Sequence, residues 1–438
     1  MNWKRKPFRL INLVLLLVVF TSCSGKSQMS STDEERQENQ NGFHNESATA
    51  DNDTSDSLLK ELKQEEPAVE LASNRMEVYL PLLKGKRIGV VANHTSWVSG
   101  KKQAVHLVDT LLKSDQTISR VFSPEHGFRG NQDAGAHVNH STDSKTGLPI
   151  FSLHGKTKKP TVESLKNVDV MLFDLQDVGV RFYTYISTLH YVMEACAENN
   201  IPLIVLDRPN PNAHYVAGPL LNKKFSSFIG MHSVPVVYGM SIGEYAQMIN
   251  GEKWLKDSVE CQLTVVELLN WDHQKEYLLP VAPSPNLPNQ LSVYLYPHLC
   301  FFEGTSASVG RGTNKPFQQY GDPNYKDSSY SFTPVSIEGA SKYPPNENKR
   351  CFGVDLSGMT LEAARQKTEL DLSYLLDAYQ KVKPVQFFTL QKHFNLLAGN
   401  NSLIQSLQKE ESLATIQQQW QQGIDSFLPV RAKYLIYP

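Results

Sequence analysis

Val168-Asp169-Val170-Met171-Leu172-Phe173-Asp174-Leu175-Gln176-Asp177 is the stretch that decides the fold. Its apolar run lacks the strict polar alternation of a half-exposed strand, so the segment reads as a strand buried on both faces. It ends abruptly in carboxylates and an amide. A two-sided buried strand belongs to a parallel sheet with helices on both sides.

Neighbouring segments repeat the pattern. Further strands are expected over Arg87 to Ala92, Ile118 to Ser123, Pro149 to Leu153 and Leu203 to Asp207. Helices are expected between them, over Val105 to Leu112, Thr161 to Leu165 and Ser187 to Asn199. Strand and helix in alternation define βαβ units and a doubly wound, mostly parallel α/β domain, placed at residues 71–255. Pro235 to Met240 is a further strand candidate. Ser241 to Ile249 reads as a helix, with Ser241 as cap and Glu244 completing a capping box.

Beyond residue 255 the pattern loosens. Glu260 to Val266 and Cys351 to Leu356 suit strands; Leu361 to Tyr379 and Ser402 to Ile424 contain helical stretches; Leu278 to Pro297 is Pro-rich and reads as irregular. Residues 256–438 are therefore expected to form a smaller α+β domain with long loops. Ordered loops of that length are often functional.

The chain opens with Lys4, Arg5, Lys6 and Arg9, then an apolar run from Leu10 to Phe20, then Thr21-Ser22-Cys23. A short apolar run behind a basic start is a secretory signal rather than a membrane span. The small residues before Cys23 resemble a lipoprotein cleavage site, with Phe20 where Leu is usual. Residues 1–23 are thus expected to direct export and lipidation of Cys23, and so a lipid anchor in the cell envelope, periplasmic or on the outer membrane. Residues 24–70 are polar and nearly free of aromatics, too poor in apolar surface to offset ordering entropy, and read as a tether. Cys196, Cys261, Cys300 and Cys351 are widely spaced, without a zinc pattern; in an exported protein they suit either one or two disulfides or buried thiols.

Function is narrowed first by exclusion. Across 438 residues the formal net charge is −2, which gives no electrostatic case for nucleic acid. The first strand leads into Val91-Ala92-Asn93-His94-Thr95, with no glycine-rich nucleotide fingerprint, and no cofactor is expected. No G-x-S-x-G elbow supports a serine hydrolase. His94, His126, His137, His140 and His154 cluster in sequence, but no H-E-x-x-H or other zinc spacing accompanies them.

Carboxylate chemistry remains. Polar clusters follow four strands: Asn93 to Ser96, Ser123-Pro124-Glu125-His126-Gly127, Asp174 to Asp177, and Asp207-Arg208-Pro209-Asn210-Pro211. In an open α/β sheet such strand ends face the ligand, although Asn, Asp, Ser and Pro there also serve as caps and turns. Glycoside hydrolysis needs one carboxylic acid to protonate the leaving oxygen and a second group at the anomeric centre. Glu125 suits the donor; Asp177, Glu303 and Asp174 are eligible for the second role. Tyr183 and Tyr185 offer aromatic faces and hydroxyls to a sugar. Arg129, Arg181, Arg208 and Arg311 offer bidentate grips for a carboxylate. Asn93, His126, Asp174, Gln176, Asp207, Asn210 and Thr313 complete the candidate substrate-binding set.

Several longer motifs occur in one order. They are Gly85-Lys86-Arg87-Ile88-Gly89-Val90-Val91-Ala92-Asn93, Phe122-Ser123-Pro124-Glu125-His126-Gly127-Phe128-Arg129-Gly130, and Phe173 through Tyr185. Leu206-Asp207-Arg208-Pro209-Asn210-Pro211, Gly218-Pro219-Leu220-Leu221, Phe302-Glu303-Gly304-Thr305 and Gly310-Arg311-Gly312-Thr313 follow. Together they resemble the DUF1343 family, whose characterised members are exo-β-N-acetylmuramidases of the NamZ type, from about Leu71 to Pro438. The resemblance implies a Rossmann-like domain packed on a smaller one with a cleft between them. It also implies release of N-acetylmuramic acid from the non-reducing end of peptidoglycan fragments, without a cofactor. Glu125 matches the glutamate of the family's Ser-Pro-Glu-His-Gly motif. His94 stands where Gln is frequent in the family, and Ser306-Ala307-Ser308 where Asn-Val-Ser is; both bear on substrate preference rather than on the reaction. Two other readings compete: a wall-binding lipoprotein without catalysis, and a metal-dependent deacetylase or amidase of the same polymer.

Overall fold

Ile88, Val90 and Ala92 pack on one side of the first strand, and Val91 on the other; Val170 and Leu172, then Met171 and Phe173, repeat this division in the central strand. Both faces are buried, which is why these strands carry apolar residues at consecutive positions. Each Val, Ile, Leu, Met or Phe among them contributes roughly 1.5–3 kcal/mol through burial.

The structure is a computed structural model that describes residues 67–99, 104–125, 127–129, 141–382 and 387–438. The expected leader, Cys23, most of the tether, His126, His137 and His140 lie outside these residues. Among the described residues the strands are β1 (Arg87–Ala92), β2 (Trp97–Val98), β3 (Val105–His106), β4 (Thr117–Ser123), β5 (Ser141–Thr142) and β6 (Pro149–Ser152). They continue with β7 (Val170–Asp174), β8 (Leu203–Leu206), β9 (Leu263–Val266), β10 (Gln319–Asp322), β11 (Ser331–Phe332) and β12 (Cys351–Asp355).

The main sheet has seven strands in the order β5-β6-β4-β1-β7-β8-β9. All its pairings are parallel except β5 with β6. Counting only the parallel strands in chain order, the sequence across the sheet is 3-2-1-4-5-6, the doubly wound Rossmann arrangement. The order reverses between β1 and β7, so the loops leaving these two strands turn to opposite faces and open a crevice. A smaller antiparallel sheet, β10-β12-β11, lies in the C-terminal part among helices. The α/β architecture with a smaller α+β part is thus the one expected. The described residues fall within one compact unit. Glu70, at the far end of the expected tether, is already paired to Leu269.

Three local expectations differ. Pro235 to Met240 forms no strand; Val237 makes single bridges to Val180 and Ala217, one link in a loop rather than a ladder. The segment expected to be irregular over Leu278 to Pro297 ends in a helix, Gln290–Leu299, started by an Asn289/Ser292 capping box. Val105-His106 pairs with Trp97-Val98 before the helix Leu107–Lys113 begins, and His106 caps that helix through Val108 N. The capping box at Ser241 and Glu244 forms as expected.

Candidate active site

The polar strand ends meet at the crevice, but much of their hydrogen-bonding capacity is spent on one another. Asn93 Oδ1 accepts from Thr95 N at 2.9 Å and Thr95 Oγ1 at 2.6 Å, and its amide donates to Tyr185 OH at 2.6 Å. Asp174 is gripped by Arg208, with both side chains buried. Gln176 donates to the carbonyls of Asp177 and Pro209. Asp207 accepts from Ser241 Oγ, Tyr437 OH and Gly243 N, tying the C-terminal residues to the sheet; burial pushes its carboxyl up to about 6, against the pull of the two hydroxyls. Asn210 links Met240 O to Asn212 N. Gly179 passes this Asn210 so closely, at φ +74°, that a Cβ would fall 2.1 Å from its side chain. These residues build a rigid floor.

Above that floor is a small cleft, partly open to solvent. Glu125, half-buried at the end of β4, lies in its wall. Its Oε2 accepts a long hydrogen bond, 3.3 Å, from Thr184 Oγ1. Tyr183 and Tyr185 meet edge to face, centroids 4.8 Å apart, and Phe182, Tyr296 and Phe317 extend the aromatic wall. Tyr183 donates to Pro283 O at 2.7 Å and so fixes the segment that brings Ser284, Asn286 and Leu287 to the cleft. Burial pushes the hydroxyls of Tyr183 and Tyr185 to higher pKa, so both remain neutral hydrogen-bonding groups.

Arg311 enters from the C-terminal part. Its Nη2 lies 2.5 Å from Glu303 Oε1, and its guanidinium lies over Phe317. Its Nε has no hydrogen-bond partner among the described residues. Glu303 stands behind Arg311 and is not in the wall itself.

Other candidates stand elsewhere. Asp177 is buried away from the cleft wall, holding Tyr238 OH and Gly179 N through Oδ2, with Oδ1 unpartnered among the described residues. Burial pushes its carboxyl up to about 7, against those two hydrogen bonds. Arg181 is wholly buried and donates to the carbonyls of Pro219, Val234 and Leu397; burial lowers it to about 9. Arg129 sits in a separate depression with Trp97 and Lys145, paired to Asp109 and Asp143. Thr313 shapes its own loop by bonding Gly310 O and Gln319. The four remaining cysteines are free and buried. Among the described residues no group of three His, Cys, Asp or Glu could hold a metal ion.

Sequence reasoning therefore reaches Glu125, Tyr183, Tyr185 and Arg311 in the cleft, with Asn93 and Glu303 one contact behind. It misses Thr184, Tyr296 and Phe317. Thr184 lay inside a quoted motif. The Pro-rich 283–288 segment carried the signal for Ser284 and Asn286. Tyr296 and Phe317 gave none, because only the packing of distant segments brings them in.

An α/β chain with an aromatic-walled cleft that holds a half-buried carboxyl fits a glycosidase, and comparison fixes the class. Residues 88–291 match the family described as exo-β-N-acetylmuramidase NamZ, N-terminal, and residues 294–437 match its C-terminal counterpart. The chain belongs to this glycosidase family. Peptidoglycan β-N-acetylmuramidase NamZ of Bacillus subtilis (strain 168) is 39% identical over 376 residues, covering 82% of this chain and 89% of that protein. Two crystal structures of DUF1343 family proteins from Bacteroides fragilis NCTC 9343 share the fold. One has TM-score 0.77 at 43% identity, covering 85% of this chain and 99% of that one; the other has TM-score 0.74 at 27% identity, covering 85% and 100%.

Proposed function

We propose that this protein is an exo-acting β-N-acetylmuramidase that removes terminal N-acetylmuramic acid from peptidoglycan fragments, with Glu125 as the proton donor. The observation that carries the reading is the half-buried Glu125 carboxyl in a cleft walled by Tyr183, Tyr185 and Tyr296. A carboxylic acid there can protonate the glycosidic oxygen as the bond breaks. The aromatic wall supports the sugar's apolar face and limits water. Arg311 lies in the cleft wall, and the lactyl carboxylate distinguishes muramic acid from glucosamine; that pairing gives a basis for selecting the former. Glu303, held against cleft-lining Arg311, is the candidate for the second carboxylate.

Incubation with a chromogenic β-N-acetylmuraminide and its glucosaminide counterpart tests the reading. Hydrolysis of the muraminide alone is expected, and no hydrolysis would overturn it. A wall-binding protein without catalysis would bind and not turn over. A deacetylase or amidase would release acetate or peptide and lose activity to a chelator. The basic, apolar N-terminus ending at Cys23 supports an exported, lipid-anchored location. Replacing Cys23 by Ser should move the protein from the membrane fraction to the soluble fraction; unchanged membrane association would refute the anchor.

A further inference from the structure

Tyr343 is the most exposed large hydrophobic side chain among the described residues, at 80%. A single exposed aromatic is ordinary on a protein surface; what distinguishes Tyr343 is the loop that carries it. Its loop is fastened to the cleft at several points. Asn286, which lines the cleft, donates to Ala340 O at 2.9 Å. Val335 N donates to Gly312 O at 2.8 Å, directly after cleft-lining Arg311. Asn346 donates to Ser306 O at 2.8 Å.

Pro344, next to Tyr343, is buried against Gly312. Gly312 has φ +79°, and a Cβ there would lie 2.6 Å from Pro344 Cγ and 2.5 Å from Val335 O. Only glycine allows that approach. Tyr343 precedes Pro344-Pro345, so its backbone is confined to extended conformations. An exposed ring on a braced, stiff backbone loses little entropy when something stacks on it. Lys342 Nζ already lies 5.9 Å from the ring centroid.

We infer that Tyr343 is a stacking platform at the cleft mouth for the first sugar on the leaving-group side of the scissile bond. The inference rests on the glycosidase reading. An exo-acting glycosidase holds the unit to be released in its cleft, so the remaining saccharide must pass out over the rim. The rim between Asn286 and Arg311 is framed by this loop. Tyr343 is therefore a specificity-determining residue for chain substrates, outside the chemistry itself.

The test compares two substrates of the full-length protein. One is the disaccharide of N-acetylmuramic acid linked to N-acetylglucosamine. The other is β-N-acetylmuraminyl fluoride, whose leaving group is too small to reach the loop. Tyr343→Ala should lower kcat/KM on the disaccharide about three- to tenfold, chiefly through KM, while fluoride release stays at the parent rate. Tyr343→Phe should keep most of the disaccharide activity. An equal fall on both substrates, no fall on the disaccharide, or a Phe variant as impaired as the Ala variant would overturn the platform. A parent protein that cleaves neither substrate would overturn the glycosidase reading, and the platform with it.

Discussion

Arg208 holds Asp174 through two hydrogen bonds, Nε to Oδ1 at 2.5 Å and Nη2 to Oδ2 at 2.9 Å, with the carboxylate fully buried at the end of the central strand. Removing either partner leaves an uncompensated charge in the interior. Asp174→Ala and Arg208→Ala should each destabilise the fold by about 3–5 kcal/mol, read by chemical denaturation. Folded enzyme that remains should keep the parent KM. A raised KM with unchanged stability would instead make this pair a substrate contact.

The buried Asp177 carboxyl gives a pH signature. Its folded-state pKa is pushed up by burial to about 7, from an ordinary carboxyl value of 3.8. Below about pH 4 it is protonated in both folded and unfolded chains and contributes nothing to the pH dependence. As pH rises from 4 to 7 the unfolded chain loses this proton first, so the folded state binds more protons and stability falls, by an amount on the order of a few kcal/mol. Above pH 7 the loss is complete. Asp177→Asn removes the ionisation, so its melting temperature should gain on the parent as pH rises from 4 to 7. A difference independent of pH would show that Asp177 gives up its proton readily. The variant should also retain hydrolysis, because the side chain is not in the cleft wall; a collapsed kcat in a stable protein would put Asp177 in the chemistry.

Arg311 is a cation of the cleft wall. Arg311→Met should reduce kcat/KM on a muraminide about ten- to hundredfold and leave a glucosaminide little changed. Parallel kinetics on the two substrates check this. An equal loss on both would mean that Arg311 serves the cleft through Glu303 rather than through the lactyl group.

The strands were legible because burial on both faces leaves its mark at consecutive positions, as in Ile88-Gly89-Val90-Val91 and Val170-Met171-Leu172-Phe173. The helix at Ser241 was legible through its capping box. The helix Gln290–Leu299 was hidden by Pro297 within it and the Pro-rich run before it. Glu125 was legible from its strand-end position. The fates of Asp174, Asp207 and Asn210 were not: a polar residue at a strand end looks the same in sequence whether it faces a ligand or an arginine thirty residues away. Tyr296 and Phe317 reach the cleft only through tertiary packing between the two parts of the chain, which no local pattern encodes.

The most direct test of the account is the turnover of Glu125→Gln, with products identified by mass spectrometry on a disaccharide of N-acetylmuramic acid and N-acetylglucosamine. The substitution preserves size and removes the proton that Glu125 supplies. Free N-acetylmuramic acid should accumulate with the parent and fall by about 10²–10⁴-fold in rate with the variant, at unchanged melting temperature. Release by the variant at the parent rate would contradict Glu125 as the proton donor.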